Sequence, residues 1–333
     1  SSLSRAVPVV LTLHDAWMLS GHCAHSIECE KWKTGCGTCP DLSIPRSVMR
    51  DATVYNWRTK RNIYRQSRLH VATPSRWLMG KVRQSMLMEG IVETRVIPNG
   101  VDLDVFKPGD RREARRRTGL PPDAGILLFS GYHGRNSAFR DYPTLEAAIR
   151  LAGPTSGRGR TILVVLGEEH NETMDAHGVE IRFLSYRKTP SDVAAMYQAA
   201  DVYVHPARAE NFPTTVLEAL ACGIPVVATG VGGIPEQIAV PGGGRPDFRH
   251  GAIEETGAAD AAGLLVPPGN AAALAEAIRW MLANPEKTAR MSVRAARVAR
   301  ERFDANRMAE DYLEWYRAIL EKERGSLSRV GCS

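Results

Sequence analysis

Short apolar runs alternate along this chain with stretches in which apolar residues recur every three or four positions. The runs at 7–13 (Val-Pro-Val-Val-Leu-Thr-Leu), 69–72, 96–97, 126–130, 161–166, 201–205 and 225–228 have the near-continuous hydrophobicity of parallel strands buried on both faces. Between them, 140–152, 191–200 and 214–222 carry helical spacing, and 271–282 and 304–320 read as two amphipathic helices that finish the chain, with Asp304 as a plausible N-cap. Strand and helix in alternation predict a doubly wound α/β architecture. No apolar run reaches the roughly 18 residues of a membrane span. The first ten residues lack the basic and apolar regions of a secretory signal, so a cytosolic location is expected.

The turn residues divide the pattern. The segment 99–110, opening with Asn99-Gly100 and closing with Pro108-Gly109, reads as a linker and sets the expected boundary near 107. It is followed by a helix carrying Arg111, Arg112, Arg115, Arg116 and Arg117. The stretch 239–262, with Gly242-Gly243-Gly244, reads as a long low-complexity loop, and 325–333 reads as a frayed tail. The expected organisation is a first domain over 1–107, a second over 108–303, and a final helix and tail over 304–333.

At 333 residues, with 44% hydrophobic and 24% charged positions, the chain has room for two such domains and is neither disordered nor fibrous. Charge is uneven. Residues 1–107 hold 15 Lys and Arg against 9 Asp and Glu, whereas the rest holds 28 of each, so the first third carries the whole net charge of +6. A basic face there suits an anionic membrane surface or a phosphorylated ligand. Nucleic acid is not expected, because no aromatic-interleaved or helix-turn-helix signature accompanies the charge.

The densest chemistry lies between His205 and Thr229. A strand ends at His205, a polar loop carries Glu210, and a helix starts near Pro213, so the free amides of 214–216 and the helix dipole are placed for a phosphate. Glu210 and Glu218 flank that position, and carboxylates accept hydroxyl hydrogen bonds, which suits a polyhydroxylated phosphate-bearing ligand. A solvated surface pair is the plainer reading of the same spacing.

The motif Glu210-x7-Glu218, continued by Ala219-Leu220-Ala221-Cys222-Gly223-Ile224-Pro225 and by Gly232-Gly233-Ile234-Pro235-Glu236, resembles the donor-binding signature of glycosyltransferase family 4. Thr73-Pro74-Ser75-Arg76-Trp77, Val96-Ile97-Pro98-Asn99-Gly100-Val101-Asp102 and Gly263-Leu264-Leu265-Val266-Pro267-Pro268-Gly269 resemble it in the same order. The resemblance implies a GT-B fold, two Rossmann-like domains facing a cleft. Here the first domain is expected to be N-terminally truncated, because the chain starts almost at the strand leading to His14. It also implies a retaining, metal-independent transfer of sugar from a nucleotide-diphosphate-sugar to a glycan or lipid-linked acceptor, in polysaccharide or cell-envelope glycan synthesis at the inner membrane face. A catalytically silent nucleotide-sugar-binding module or partner subunit is the alternative, and a sugar phosphorylase is a weaker third.

Carried over by residue, the resemblance implies that Glu218 binds the ribose, Glu210 a hydroxyl of the donor sugar, and Asn211, Phe212, Thr214 and Thr215 the sugar and phosphates. Pro213, lacking an N–H, removes or shifts one amide contact. Where the family has a Gly-rich turn, an Arg and a Lys-Gly, this chain reads Gly131-Tyr132-His133-Gly134-Arg135, then Arg140-Asp141. Gly131, Arg135 and Arg140 are the expected diphosphate-binding set, although Arg is not a geometric copy of Lys. His14 corresponds to the histidine that orients the donor sugar, and Ser75 and Arg76 to residues lining the same cleft.

Four cysteines, Cys23, Cys29, Cys36 and Cys39, fall within 22–40. Only Cys36-Gly37-Thr38-Cys39 is a C-x-x-C, so a structural zinc, disulfides and free thiols all stay open, with His22 and His25 as spare ligands. No cofactor is expected for catalysis.

Overall fold

The structure, a computed structural model, describes residues 2–44, 47–154, 160–238 and 261–330. Of the loop expected over 239–262, residues 239–260 lie outside the described residues, as do 331–333 of the tail. Contact density divides the chain into one unit formed by 1–99 with 306–333 and a second formed by 100–305.

The first unit opens with α1 (Ser2–Ala6), β1 (Val9–Thr12), α2 (Thr53–Arg65), β2 (Leu69–Thr73), α3 (Arg76–Val82) and β3 (Ile91–Val96). Its three strands are parallel in the order β1-β2-β3, with Val9 opposite Leu69 and Thr73 opposite Val96. The strand expected at 96–97 is thus centred earlier. Its sequence Ile-Val-Glu-Thr-Arg-Val is half exposed and looks polar. Helix α2 buries only Thr53, Trp57 and Tyr64, too thin a stripe for its pattern to announce it.

In the second unit the elements run α4 (Arg111–Thr118), β4 (Gly125–Ser130), α5 (Tyr142–Ala152), β5 (Thr161–Glu168), β6 (Glu172–Ala176), β7 (Val179–Ser185), α6 (Pro190–Ala199) and β8 (Val202–His205). There follow α7 (Thr214–Ala221), β9 (Val226–Thr229), α8 (Ile234–Ile238), β10 (Gly263–Val266), α9 (Ala271–Ala283) and α10 (Pro285–Arg302). Seven strands form one sheet in the order β10-β9-β8-β4-β5-β7-β6, parallel except for the edge strand β6. Successive residues of β4 serve opposite layers, as strand geometry requires. Ile126 and Leu128 join the core shared with α4, α6, α7 and α10, whereas Leu127 and Phe129 join the one shared with α5 and α9.

The chain leaves and re-enters the second unit at one place. Val101 pairs with Asp304, its N–H donates to the Phe303 carbonyl at 2.8 Å, and the Ala305 N–H returns to the Val101 carbonyl at 3.1 Å. Together with Phe106, which is buried, this pairing makes the expected linker a packed segment and puts the change of unit at 99/100 rather than 107. The last helix, α11 (Ala305–Val330), then packs in the first unit, and its backbone stays helical past Gly325, where fraying is expected. Trp315 carries it: the ring is fully buried beside Ala72 and Ile97, and Nε1 donates to Glu93 Oε1 at 2.9 Å.

Among the described residues no helix is long and apolar enough to cross a membrane. Trp315→Ala is expected to cost the first unit about 3–5 kcal/mol, read as a lower denaturant midpoint.

Candidate functional site

Strand order reverses at β4: the chain builds outward through β5 and β7, then returns to place β8 on the other side. A crevice opens outside the carboxyl ends of strands at such a reversal, and ligands bind there. Leu127 pairs with Val202 and Leu128 with Tyr203, so continuing the register brings Ser130 level with His205. The loops leaving these two strand ends carry Gly131, Arg135 and Arg140 on one side and Glu210 to Thr215 on the other.

The two loops are latched. The Arg208 N–H donates to the Phe139 carbonyl at 2.8 Å, and Arg208 Nε lies 3.4 Å from Asp141 Oδ2. His133 and Asp141 both hold positive φ, at 47° and 41°, a strain that surrounding structure must enforce. Gly131 clears space for the Arg140 guanidinium, since a Cβ there would lie 2.5 Å from its NH1. That guanidinium donates to the Ser130 carbonyl and comes within 3.9 Å of Glu210 Oε1.

Glu210 is set by the Gly232-Gly233 turn. Gly232 sits at φ +59°, and a Cβ on it would fall 1.8 Å from the Glu210 carbonyl oxygen, while the Gly233 N–H donates to the Asn211 carbonyl at 2.7 Å. Only glycine permits that approach. Phe212 is a core anchor, 5.8 Å edge-on to Phe303. Pro213 immediately precedes the helix and Thr214 is its first residue, so the amides of α7's first turn face the crevice end of the sheet.

Beneath the loops runs a buried chain of hydroxyls and an imidazole that sequence reasoning does not find. Tyr197 OH donates to Glu218 Oε2 at 2.9 Å, Ser130 Oγ lies 2.9 Å from Tyr197 OH and 3.2 Å from Tyr203 OH, and Tyr203 OH lies 3.2 Å from His205 Nδ1. Each hydroxyl has one hydrogen to give. With Tyr197 donating to Glu218 and Ser130 to Tyr203, Tyr203 donates to Nδ1, which leaves the His205 hydrogen on Nε2, 3.6 Å from Glu210 Oε1. Three hydroxyl hydrogens serve these four contacts, so the Ser130–Tyr197 contact carries none in this arrangement, and Nε2 has no hydrogen-bond partner. Burial lowers the pKa of His205, with the Glu210 carboxylate opposing. Burial raises Glu218 above the usual carboxylate range, opposed by the Tyr197 hydrogen bond and by Arg140.

Other expected residues lie elsewhere. Arg135 is turned toward the β6–β7 edge, where it pairs with Glu172 at 2.9 Å and stacks 3.5 Å over the Phe183 ring. His14 follows β1 in the first unit and is exposed there. Ser75 caps α3, accepting from the Leu78 N–H at 3.1 Å. Cys23, Cys29, Cys36 and Cys39 are free thiols, all partly buried, and line one cavity with His22.

Residues 144–284 match the model of the family described as glycosyl transferases group 1. The chain is 33% identical over 248 residues to the D-inositol 3-phosphate glycosyltransferase of Saccharomonospora viridis, covering 71% of this chain and 52% of that protein. It is 31% identical over 254 residues to the enzyme of the same name from Kineococcus radiotolerans, covering 69% and 54%. The chain thus spans about half the length of the curated relatives it matches. Among solved structures, sucrose-phosphate synthase of Thermosynechococcus elongatus superposes with a TM-score of 0.64 at 26% identity, over 83% of this chain and 65% of that one. HepE of Anabaena, solved in complex with UDP, superposes with 0.62 at 21% identity over 95% of this chain and 74% of that one. These likenesses show the α/β fold, with parallel sheets, of GT-B glycosyltransferases.

The raised pKa of Glu218 has a stability consequence. The folded state holds the Glu218 proton to higher pH than the unfolded chain, whose value is 4.5. The stability gained is complete below 4.5 and lost as pH rises through the raised value. Glu218→Gln, neutral throughout, is expected to escape that loss, so its melting temperature should gain on wild type as pH rises from 4 to 7.

Proposed function

We propose, from the match of residues 144–284 to the model described as glycosyl transferases group 1, that the protein transfers a sugar from a nucleoside-diphosphate sugar to a hydroxyl-bearing acceptor. One observation carries the reading: Arg140, Glu210, the Tyr197-bound Glu218 and the first turn of α7 meet at the strand-order reversal between β4 and β8.

The chemistry follows from what each group offers a donor. Glu218, just past the first turn of α7, takes the ribose hydroxyls as a hydrogen-bond acceptor. The amides of Asn211, Phe212, Thr214 and Thr215 and the positive end of α7 take phosphate and sugar oxygens. Pro213 has no N–H, so that line of donors has a gap at its centre. Arg140 supplies the charge that stabilises the departing diphosphate, and needs only to exchange its contact with the Ser130 carbonyl and Glu210 for phosphate oxygens. Arg135, held by Glu172 and Phe183, contributes to the same end only after leaving both.

Glu210 accepts from a hydroxyl of the donor sugar and fixes its orientation. His205 lies beneath it, with Nε2 3.6 Å from Glu210 Oε1. For His14 we propose the role that the sequence resemblance implies, orienting the donor sugar. Retention of anomeric configuration follows in this scheme, the leaving diphosphate accepting the acceptor's proton on the same face, and no metal takes part. The acceptor is polyhydroxylated, consistent with relatives named for D-inositol 3-phosphate. The basic excess of residues 1–107 favours a phosphorylated or lipid-linked form of it at an anionic membrane face.

The test is transfer or donor hydrolysis with a panel of nucleoside-diphosphate sugars. Wild type should turn over one of them. Glu210→Ala should lower turnover about 10²-fold or more by freeing the sugar, and Arg140→Ala about 10²–10³-fold by removing charge from the leaving group. Donor binding by calorimetry with no turnover on any acceptor would instead make the chain a binding module.

A further inference from the structure

The first unit holds a second concentration of reactive side chains that donor chemistry does not use. Cys23, Cys29, Cys36 and Cys39 come from a segment with little regular structure, yet all four line one cavity, with His22, Lys31, Trp32 and Thr53 completing its wall. Its volume is about 20 Å³, close to the minimum that admits one water-sized particle. The lining is largely apolar, which disfavours water, and none of the four thiols is in a disulfide.

Two features of the wall call for an occupant. His22 is 7% exposed, and its Nε2 is buried without a hydrogen-bond partner; a buried ring nitrogen left in that state is costly. The Gly21 N–H donates to Cys36 Sγ at 3.3 Å, which fixes the position of that sulfur in the wall. Lys81 Nζ stands 4.9 Å from the ring centre of Trp32, a wall residue, and donates to Ser26 Oγ at 2.9 Å. Lys60 is also anchored, donating to the Trp17 and Ser20 carbonyls at 2.6 and 2.9 Å.

We propose that this cavity binds one thiophilic divalent cation of the zinc type through Cys23, Cys29, Cys36 and Cys39, with His22 able to replace one thiolate. Four thiolates around one such ion carry a net charge of −2, which Lys31 in the wall partly offsets. Each coordinating thiol passes its proton to solvent as its bond to the metal forms, and no electron moves. The side chains line the cavity without converging: among the described residues no three His, Cys, Asp or Glu side chains are placed to hold a metal. Binding therefore includes side-chain rotation inward, and it couples to ordering of the segment. Positive φ at Ile27, Cys36 and Thr38 and at Gly35 and Gly37 marks the tight turns of this loop. The ion would brace the 22–40 loop and has no part in sugar transfer.

The test uses the full chain, reduced and stripped of metal. Titration of Zn2+ against a chromophoric chelator should show one tight equivalent, and Co2+ in its place should show the thiolate charge-transfer absorption of a tetrahedral site. Cys36→Ser with Cys39→Ser should lose that equivalent. Should this variant not fold, alkylation of wild type decides the matter, because Zn2+ should slow modification of four cysteines. Absence of a bound equivalent in the reduced wild type, alkylation at the same rate with and without Zn2+, or an intact mass showing disulfides instead would overturn the proposal. Donor binding in the second unit is a separate measurement, so either reading fails without the other.

Discussion

A buried carboxylate is tolerated only where the fold supplies its hydrogen bonds, and Glu218 has one protein donor identified, the phenol of Tyr197. That requirement organises the crevice side of the second unit. Tyr197 comes from α6, Ser130 from the end of β4, Tyr203 and His205 from β8, and Glu218 from α7, so four elements must pack in register before the chain of hydrogen bonds closes. The same row of groups ends under Glu210, with His205 Nε2 3.6 Å from its Oε1. The polar groups are held in a largely apolar layer, where a half-satisfied network costs more than none.

The loops above the network are fixed by different means. Gly232 lets one backbone segment run against another at Glu210, Gly131 makes room for Arg140, and the Arg208 latch joins the two loops. Charge at the site is balanced without a ligand: Arg140 leans on Glu210 and on a carbonyl, contacts that a diphosphate can displace at little expense. At the opposite end of the sheet the buried Asp201 accepts from Arg111, Arg115 and the Ile126 N–H. Two of the five arginines of α4 therefore serve the fold, which discounts that helix as a binding face.

The sequence pattern makes the fold class legible because β4, β5, β8 and β9 are buried on both faces and read as unbroken apolar runs. It fails where burial is partial. Strand β3 is half exposed, α2 buries a thin stripe, and β6 is a polar edge strand, although the alternation Val179, Ile181, Phe183 in β7 carries a period of two that a finer reading would use. Glu210, Glu218 and Arg140 are legible because each lies in one short motif. Tyr197, Ser130, Tyr203 and His205 are not, since each passes locally for a strand or helix core residue and only the β4–β8 register brings them together. Arg135 shows the converse: its motif position is right, and its side chain is claimed by Glu172 and Phe183 from a hairpin some forty residues on.

The central claim is that Glu218 reads the ribose of a nucleotide in this crevice. It is tested most directly by calorimetric comparison of a nucleoside diphosphate with its 2′-deoxy analogue, on wild type and on Glu218→Ala. A hydrogen bond to a charged group is worth about 1.5–3 kcal/mol, so the deoxy form should bind wild type about 10- to 100-fold more weakly, and Glu218→Ala should bind both forms alike. Equal affinity of wild type for the two forms would contradict the account.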